Sequence, residues 1–197
     1  MPDATVYVME EANLYCGAVP TDQSASLHLE LSEMKMPAFN QQFVDHRAGG
    51  APTAIEIPTI FAKLESTFQL LGWNTQVAGL IGAWSSQQNQ FFAYGNIRDE
   101  ASGISYQAIA AMKGKLGTAD PQNWTRGALA HWNYAVKGII HYELYIAGNQ
   151  LYYWDFFENR FIVNGVDQNA DINTNLNIPT FTPTPLISVT APVAPGS

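Results

Sequence analysis

The side chains best suited to catalysis or metal binding are a few histidines and carboxylates, and none completes a known motif. The four histidines are His28, His46, His131 and His141. No two of them have the H-x-x-x-H spacing that places two zinc ligands on one helical face. His141 and Glu143 are two positions apart in an expected strand, so they face the same side of it. This leaves two interpretations, a metal site or structural polar residues, of which the second is the commoner.

Nucleophilic chemistry has equally little support in the sequence. Asp45 and His46 are an adjacent acid and base, but no G-x-S-x-G motif supplies a nucleophile for them. Cys16 is either a reactive thiol or a small buried residue, and the buried case is the commoner one. No G-x-G-x-x-G pattern indicates a nucleotide site. The sequence therefore predicts a protein that is not an enzyme and that needs neither a cofactor nor a metal.

The composition indicates a protein with little charged surface. Apolar residues make up 47% of the 197 residues and charged residues only 13%, about half the usual charged share. Such a composition fits a protein that covers much of its surface with neighbours, and an ordinary low-charge monomer is the alternative. The net charge is -8 and no Lys/Arg cluster is present, which argues against tight binding to nucleic-acid phosphates. The single cysteine excludes an internal disulfide.

Membrane insertion and secretion are not expected. No window approaches the 18 consecutive apolar residues of a spanning helix. The start, Met-Pro-Asp-Ala-Thr, lacks the basic and apolar regions of a signal peptide. A cytosolic start is the simplest interpretation.

Period-two alternation dominates the chain and predicts a mainly-β fold. It marks Leu27–Met36, with a phase shift that predicts a β-bulge near Ser32 and Glu33. It also marks Lys63–Leu71. The Gly- and Pro-containing stretch Asn40–Pro58 between them is predicted to be a long loop.

The rest of the chain predicts one helix, several strands and a loose tail. Asn74–Trp84 has one apolar face and a capping Asn, as in a short helix. The further strands are predicted at Phe91–Ile97, Ile104–Leu116, Ala128–Ile146, Leu151–Phe157 and Phe161–Val163, with a second loop at Gly117–Gly127. Val6–Gly17 is either another strand or a helix. Residues 1–178 are expected to be one domain, and the Pro/Thr-rich residues 179–197 an extended or disordered tail.

Five short segments follow one another in a distinctive order between residues 5 and 178. They are Leu29–Phe39, His46–Pro52, the helix after Gly72-Trp73, Met112–Lys115 and Val163–Gln168. Their order and spacing resemble the major tail tube protein of contractile-tailed bacteriophages. The chain departs from that family in its neutral, Asn-rich segment Gln168–Asn177 and in its additional Pro/Thr-rich tail.

The resemblance implies a structural virion protein. The implied fold is a β-sandwich or partial barrel with one flanking α-helix, whose strands join those of other copies in a multi-subunit barrel. Copies of the chain would form hexameric rings, and the rings would stack into an inner tube, assembled in the host cytoplasm, of a phage or a phage-tail-like particle. A contractile sheath, a tail terminator and baseplate proteins would be the other partners. Genomic DNA would pass through the lumen without specific binding.

Two groups of residues are candidates for these roles. The glycine-rich segment is predicted to reach the next ring, with a plain surface loop as the alternative. This inter-ring assembly loop comprises Asp45, His46, Arg47, Gly49, Gly50 and Pro52. The polar positions of the alternating strands are candidates for lining the lumen, where neutral or negative walls would not hold DNA. These candidates are His28, Glu30, Ser32, Glu65, Thr67 and Gln69.

A second function class is a monomeric β-sandwich that binds a ligand such as a carbohydrate. The aromatic run Tyr152–Phe157 motivates it, because aromatic faces stack on sugars and bases. Strand alternation instead predicts that one face of this run lies in the core and the other in a subunit contact.

Overall fold

The computed structural model describes residues 6–17, 22–50, 52–82, 88–179 and 181–187. The expectations for the first five residues and for the tail after residue 187 concern residues outside this set. The strands are β1 (Tyr7–Cys16), β2 (Leu31–Lys35), β3 (Gln41–His46), β4 (Ile55–Phe61), β5 (Ser66–Leu71), β6 (Asn89–Asp99), β7 (Ser105–Pro121), β8 (His131–Ile146), β9 (Asn149–Asp155), β10 (Arg160–Val163) and β11 (Val166–Asp167). The helices are α1 (Thr75–Ala78) and α2 (Ala170–Asn175), with a 3-10 helix at Gln23–Ala25. The predicted mainly-β fold is confirmed.

Nine of the strands form one antiparallel sheet. Seven of them follow one another in the order β1-β6-β7-β8-β9-β10-β11, and β5 forms a side branch that pairs with both β8 and β2. The remaining two strands, β3 and β4, form a separate two-stranded sheet. Because neighbouring strands in both sheets are antiparallel, short turns suffice for most connections.

The strand β8 belongs to both branches of the sheet. Along one edge it pairs with β7 over nearly its whole length. Along the other edge, His131–Val136 pairs with β5 and His141–Ile146 pairs with β9. Gly138 lies between these two parts with φ of +55°, a backbone conformation that only glycine adopts at low cost. The residue thus allows one strand to change partners in its middle.

The core fills the space between the β1-β6-β7 side and the β5-β2 branch. Its fully buried members include Leu14, Leu70, Phe91, Met112 and Val136. The described β1 and β2 do not pair with each other, and a single bridge links Tyr15 of β1 to Ser26 in the segment before β2, so the barrel is partial and not closed. An open groove remains between the two strands.

Two details of the predicted pattern are confirmed. Ser66, Phe68 and Leu70 are buried whereas Thr67 is exposed, so β5 alternates as predicted. The pairing of β2 with β5 shifts register after Leu31, which is the predicted β-bulge.

Three predicted boundaries are wrong. The run Leu27–Met36 becomes a strand only at Leu31, because residues 28–30 form a turn that leaves Leu29 81% exposed. The predicted loop Asn40–Pro58 contains β3 and most of β4. Pro58 is tolerated there because each strand of a two-stranded sheet is an edge. The loop predicted at Gly117–Gly127 begins only after Pro121, since β8 continues to pair with β7 up to that residue.

The helices also differ from the prediction. The predicted helix ends at Ala78, and residues 83 and 84 of the predicted span are outside the described set. Its capping is confirmed, because the Asn74 side chain accepts hydrogen bonds from the backbone N–H groups of Gln76 and Val77. The second helix, α2, was not predicted, and its Asn-rich sequence lacks the apolar stripe that identifies a helix.

We expect Gly138→Ala to destabilise the fold by about 1–2 kcal/mol, because an L-residue is strained at positive φ. No atom lies within 4 Å of the added Cβ, so the cost is conformational and not steric. Gly49→Ala is the matched control, since Gly49 is in open space and outside the left-handed region. Urea unfolding of both variants measures the difference, and equal stabilities would contradict this account of the branch point.

Candidate functional site

The most unusual surface is the hairpin of β3 and β4, called the arm here and comprising residues 41–61. Every residue of both strands is exposed. In the register of the hairpin, Val44 is opposite Ile57 and His46 is opposite Ile55, so these residues share one face. The exposed fractions of Val44, Ile55 and Ile57 are 58%, 59% and 43%. The arm therefore presents an apolar face without a partner in the described part of the chain.

The opposite face of the arm differs in charge. Asp45 and Glu56 lie opposite each other on it, next to Phe43 and Pro58. The two faces are therefore chemically distinct, one aliphatic and one acidic towards the tip.

The base of the arm is fixed to the sheet by aromatic side chains. The ring centroid of Phe39 is 4.7 Å from that of Phe161 and 5.3 Å from that of Tyr152. The ring centroid of Phe61, the last residue of the arm at its base, is 5.3 Å from that of Phe161. Ring pairs at these distances contribute beyond their buried area. The arm is thus anchored at its base, and the rest of its two strands is exposed.

The predicted assembly loop lies at the tip of this arm. Asp45 and His46 end β3, and Arg47, Gly49 and Gly50 are exposed in the turn that follows. Ala51 lies outside the described residues, and Pro52 is exposed on the return. Neither Gly49 nor Gly50 adopts positive φ.

The predicted lumen residues do not form one surface. His28 and Ser32 line the groove between β1 and β2. Glu30 accepts a hydrogen bond from Asn74 Nδ2 at 3.0 Å, beside the start of α1. The other three, Glu65, Thr67 and Gln69, lie on the side of β5 that faces away from the core.

This outer side of β5 and its neighbours is polar and of mixed charge. Glu65 forms an ion pair with Lys137 at 3.6 Å, and Gln69 donates a hydrogen bond to Asn133 Oδ1 at 2.8 Å. Strand pairing adds further charged residues of both signs to the same side, namely Glu33, Lys35, Lys115 and Asp120. The surface is close to neutral in sum, and not a uniformly negative wall.

A second layer of buried residues lies on the other side of the large sheet. One row across the strands joins Phe92, Ala111, Glu143, Tyr153 and Ile162. All five are at most 9% exposed, and Glu143 is fully buried among them. A charged group in such a position needs several hydrogen-bond donors.

Glu143 obtains these donors from its own strand and from the tail. Its Oε2 accepts from the hydroxyl of Tyr145 at 2.9 Å. Its Oε1 is 2.6 Å from Nε2 of His141 and accepts from the backbone N–H of Leu186 at 2.6 Å. Thr184 also donates its N–H to the Tyr153 hydroxyl at 3.2 Å. Residues 181–187, called the strap here, therefore cover the buried carboxylate.

His141 is held between two carboxylates. Its Nδ1 is 2.8 Å from Asp155 and its Nε2 is 2.6 Å from Glu143, so both ring nitrogens act as donors when the ring is protonated. Burial is the largest single influence and lowers the pKa of His141, but the hydrogen bonds and charges of Glu143 and Asp155 together raise it above its ordinary value. The predicted same-side arrangement of His141 and Glu143 is found.

The side chains of His141, Glu143 and Asp155 are already engaged in hydrogen bonds within the fold. In the described ranges, no cluster of three or more His, Cys, Asp or Glu side chains is arranged to hold a metal ion. Burial raises the pKa of the Cys16 thiol far above its ordinary value, which suppresses the reactive thiolate.

The aromatic run does not form a continuous platform. Tyr152 and Trp154 pack against the core and Tyr153 is buried on the opposite side of the sheet. Phe156 and Phe157 are the exposed members, at 63% and 73%. A separate pocket of about 400 Å³ lies between Trp73, Trp124, Leu129 and Trp132.

The segment that contains the arm and most of the large sheet also matches a known protein family. The family model for phage tail tube protein FII matches residues 12–176. The chain belongs to the phage tail tube family. As a tail tube protein, it is a structural component of a virion that assembles with its own copies into a tube within the tail. No individual curated protein matches it significantly. None of the helices in the described part of this tail tube protein is long and apolar enough to cross a membrane.

Removing the strap donor tests how the buried carboxylate of this tail tube protein is satisfied. We expect Leu186→Pro, which lacks the backbone N–H, to lower the free energy of unfolding by about 1–3 kcal/mol relative to Leu186→Ala. The alanine variant is the control because it retains the N–H while removing the same side chain. Chemical unfolding measures both, and equal stabilities would show that the hydrogen bond contributes nothing.

The His141 network predicts a pH dependence of stability. Because the pKa of His141 is raised in the folded state, its stabilisation is complete below the ordinary value of 6.5 and is lost as pH rises through the folded pKa. Glu143, Tyr145 and Asp155 contact or adjoin the ring, and Lys113 is its neighbour on β7.

We expect the difference in unfolding free energy between the wild type and His141→Gln to be largest at pH 6 and to shrink by pH 9. Urea unfolding across this range measures it, and the subtraction removes the contributions of groups unaffected by the substitution. A difference that grows with pH would contradict the sign of the shift.

Proposed function

We propose that this chain is the inner tail tube subunit of a contractile tail, which stacks as hexameric rings and conducts DNA during ejection. The observation that carries the proposal is the arm, whose apolar face has no partner in the described chain. Family membership supports a tube, and the arm supplies a means of joining one copy to the next. The described residues predicted for inter-ring contact, Asp45, His46, Arg47, Gly49, Gly50 and Pro52, are at the tip of this arm.

The energetics of the arm favour an assembled state. An isolated two-stranded hairpin is marginally stable in water, and burying one Ile or Val side chain contributes about 1.5–3 kcal/mol. Val44, Ile55 and Ile57 together offer several kcal/mol to a partner surface. Joining strands of neighbouring copies would also cover the free edges of the large sheet, which are otherwise sites of aggregation.

The polar outer side of β5 is our candidate for the lumen wall. Thr67, Gln69 and the paired Glu65 and Lys137 lie on it. A wall with balanced charges has no continuous basic surface that could bind the DNA phosphates and release their counterions. We propose that the tube lets DNA slide by neutrality and not by strong repulsion. His28, Glu30 and Ser32 are not part of this proposed wall.

The other partners follow from the same proposal. A contractile sheath would surround the tube, and a terminator and baseplate proteins would meet its two ends, with assembly in the host cytoplasm. The particle is a phage tail or a phage-tail-like device derived from one. In each case the role is mechanical, and the chain supplies stiffness, length and a smooth bore.

The rival function, a monomeric carbohydrate-binding module, loses its main support. The run Tyr152–Phe157 is divided between the core and the second buried layer. The exposed Phe156 and Phe157 contact each other edge-to-face, with centroids 5.4 Å apart, and so do not present two parallel stacking faces.

Tube formation by arm variants tests the proposal. We expect Ile57→Asp to fold normally and to raise the critical concentration for assembly by at least about tenfold, since it places a charge in an apolar contact. Glu56→Gln, on the opposite arm face, is the matched control and should assemble like the wild type. Negative-stain microscopy and sedimentation of concentrated protein measure the polymers. Normal tubes from Ile57→Asp, or a wild type that stays monomeric at every salt concentration, would contradict the proposal.

A further inference from the structure

Besides the arm, the surface has a large groove between β1 and β2 that no described part of the chain fills. It has a volume of about 870 Å³ and an apolar floor. The floor is formed by Met9, Leu31, Met34, Met36, Leu144 and Ile146. Three of these are methionines, whose flexible side chains adapt to irregular partners. Tyr94 is the one aromatic side chain that lines it, so the lining is not that of a sugar-stacking site.

The walls of the groove are strand edges with unused hydrogen-bonding capacity. Within the described chain, β1 pairs along its length only with β6, and β2 pairs only with β5. The other edge of each strand faces the groove, apart from the bridge between Tyr15 and Ser26 and the neighbouring hydrogen bond from the Leu27 N–H to the Leu14 carbonyl. Such edges accept an added strand through main-chain hydrogen bonds, while the floor takes alternate side chains.

The rim of the groove is acidic. Glu10, Glu11 and Glu33 line it. Glu10 forms an ion pair with Arg98 at 2.7 Å, whereas the carboxylates of Glu11 and Glu33 form no ion pair or side-chain hydrogen bond within the described residues. An acidic or phosphate-bearing occupant is disfavoured by this rim, and a segment that combines aliphatic side chains with a cation fits it.

The arm has this combination of properties. Its one face is aliphatic, with Val44, Ile55 and Ile57, and Arg47 follows at the tip with no partner in the described chain. The acidic residues Asp45 and Glu56 lie on the opposite face of the arm. When the aliphatic face docks in the groove, these two carboxylates therefore point away from the acidic rim. In the same molecule the arm leaves the sheet beside Phe161 on β10 and its aliphatic face remains exposed, so it does not fill its own groove.

We propose that the groove between β1 and β2 is the receptor for the arm of a second copy, with the aliphatic arm face on the groove floor and Arg47 beside Glu11 and Glu33. This inference rests on the proposed function, since it names the surface that the arm contacts in the tube. Each copy then supplies one arm and one groove.

A charge exchange tests the pairing. We expect Arg47→Glu alone, and Glu11→Lys with Glu33→Lys alone, each to raise the critical concentration for assembly about fivefold at low salt. The variant that combines all three substitutions restores opposite charges and should return to within about twofold of the wild type. High salt should shrink these differences, because exposed ion pairs are screened. Glu56→Lys, on the opposite arm face, with Asp171→Lys, an exposed position in α2, is the control for altered net charge and should assemble like the wild type.

A cysteine pair gives a second readout that does not depend on assembly energetics. In a Cys16→Ser background, Arg47→Cys with Glu33→Cys should form disulfide-linked ladders on non-reducing gels of assembled protein. Glu56→Cys with Glu33→Cys should not. All the substituted positions except residue 16 are exposed, and circular dichroism verifies folding.

The outcomes separate this inference from the proposed function. If Ile57→Asp blocks assembly but the charge exchange gives no rescue and the ladder is absent, the groove is not the receptor and the arm still makes the contact. If Ile57→Asp and all the charge variants assemble like the wild type, both proposals are overturned.

Discussion

The pairing of β8 with two different neighbours along one edge is the constraint on which the rest of the fold depends. One edge of β8 pairs with β5 before Gly138 and with β9 after it, so β8 holds three strands, and Gly138 with its positive φ lies where the partner changes. The first part of β8 directs the β5-β2 branch over the core, and the second part extends the sheet through β9 to β11. This division leaves the groove between β1 and β2 open, and it places Phe161 where the base of the arm is anchored.

The branch point also explains why a carboxylate can be buried in the second layer. Beyond Gly138, the side of β8 that faces away from the core carries His141, Glu143 and Tyr145. Their polar groups satisfy one another, and the strap adds the backbone N–H of Leu186 from 43 residues away. A buried charge with all its donors in place is tolerated, whereas one that loses a donor is costly. The end of the described chain is therefore tied to the sheet by a polar network.

The sequence predicts the strands that bury one face in the core. The prediction fails where the burial of a segment depends on residues far away in the chain or on another molecule. The alternation of β5 and the bulge in β2 were readable, because core contacts impose a period of two on Phe68 and Leu70. Leu29 has the same spacing but lies in an exposed turn, and only the tertiary structure distinguishes it. The arm was mistaken for a loop because neither of its faces is buried in the monomer. The same-side placement of His141 and Glu143 follows from strand geometry, but Asp155 and Leu186 reach them through sheet pairing and the strap, which no local pattern records. The roles of Asp45–Pro52 and of the lumen candidates remain predictions.

If the arm of one copy docks in the groove of another, as proposed above, the contact has a consequence for the polymer as a whole. A contact of this kind uses two unlike patches, so it is not self-complementary and does not terminate at a pair of molecules. Successive additions then give the filament a polarity, with unoccupied hairpins at one end and unoccupied clefts at the other. Such a contact does not limit the number of subunits that can add, so the length of the polymer has to be set by a separate molecule. A factor that caps the filament must imitate a cleft at the first end and a hairpin at the second, and the two caps cannot be interchanged.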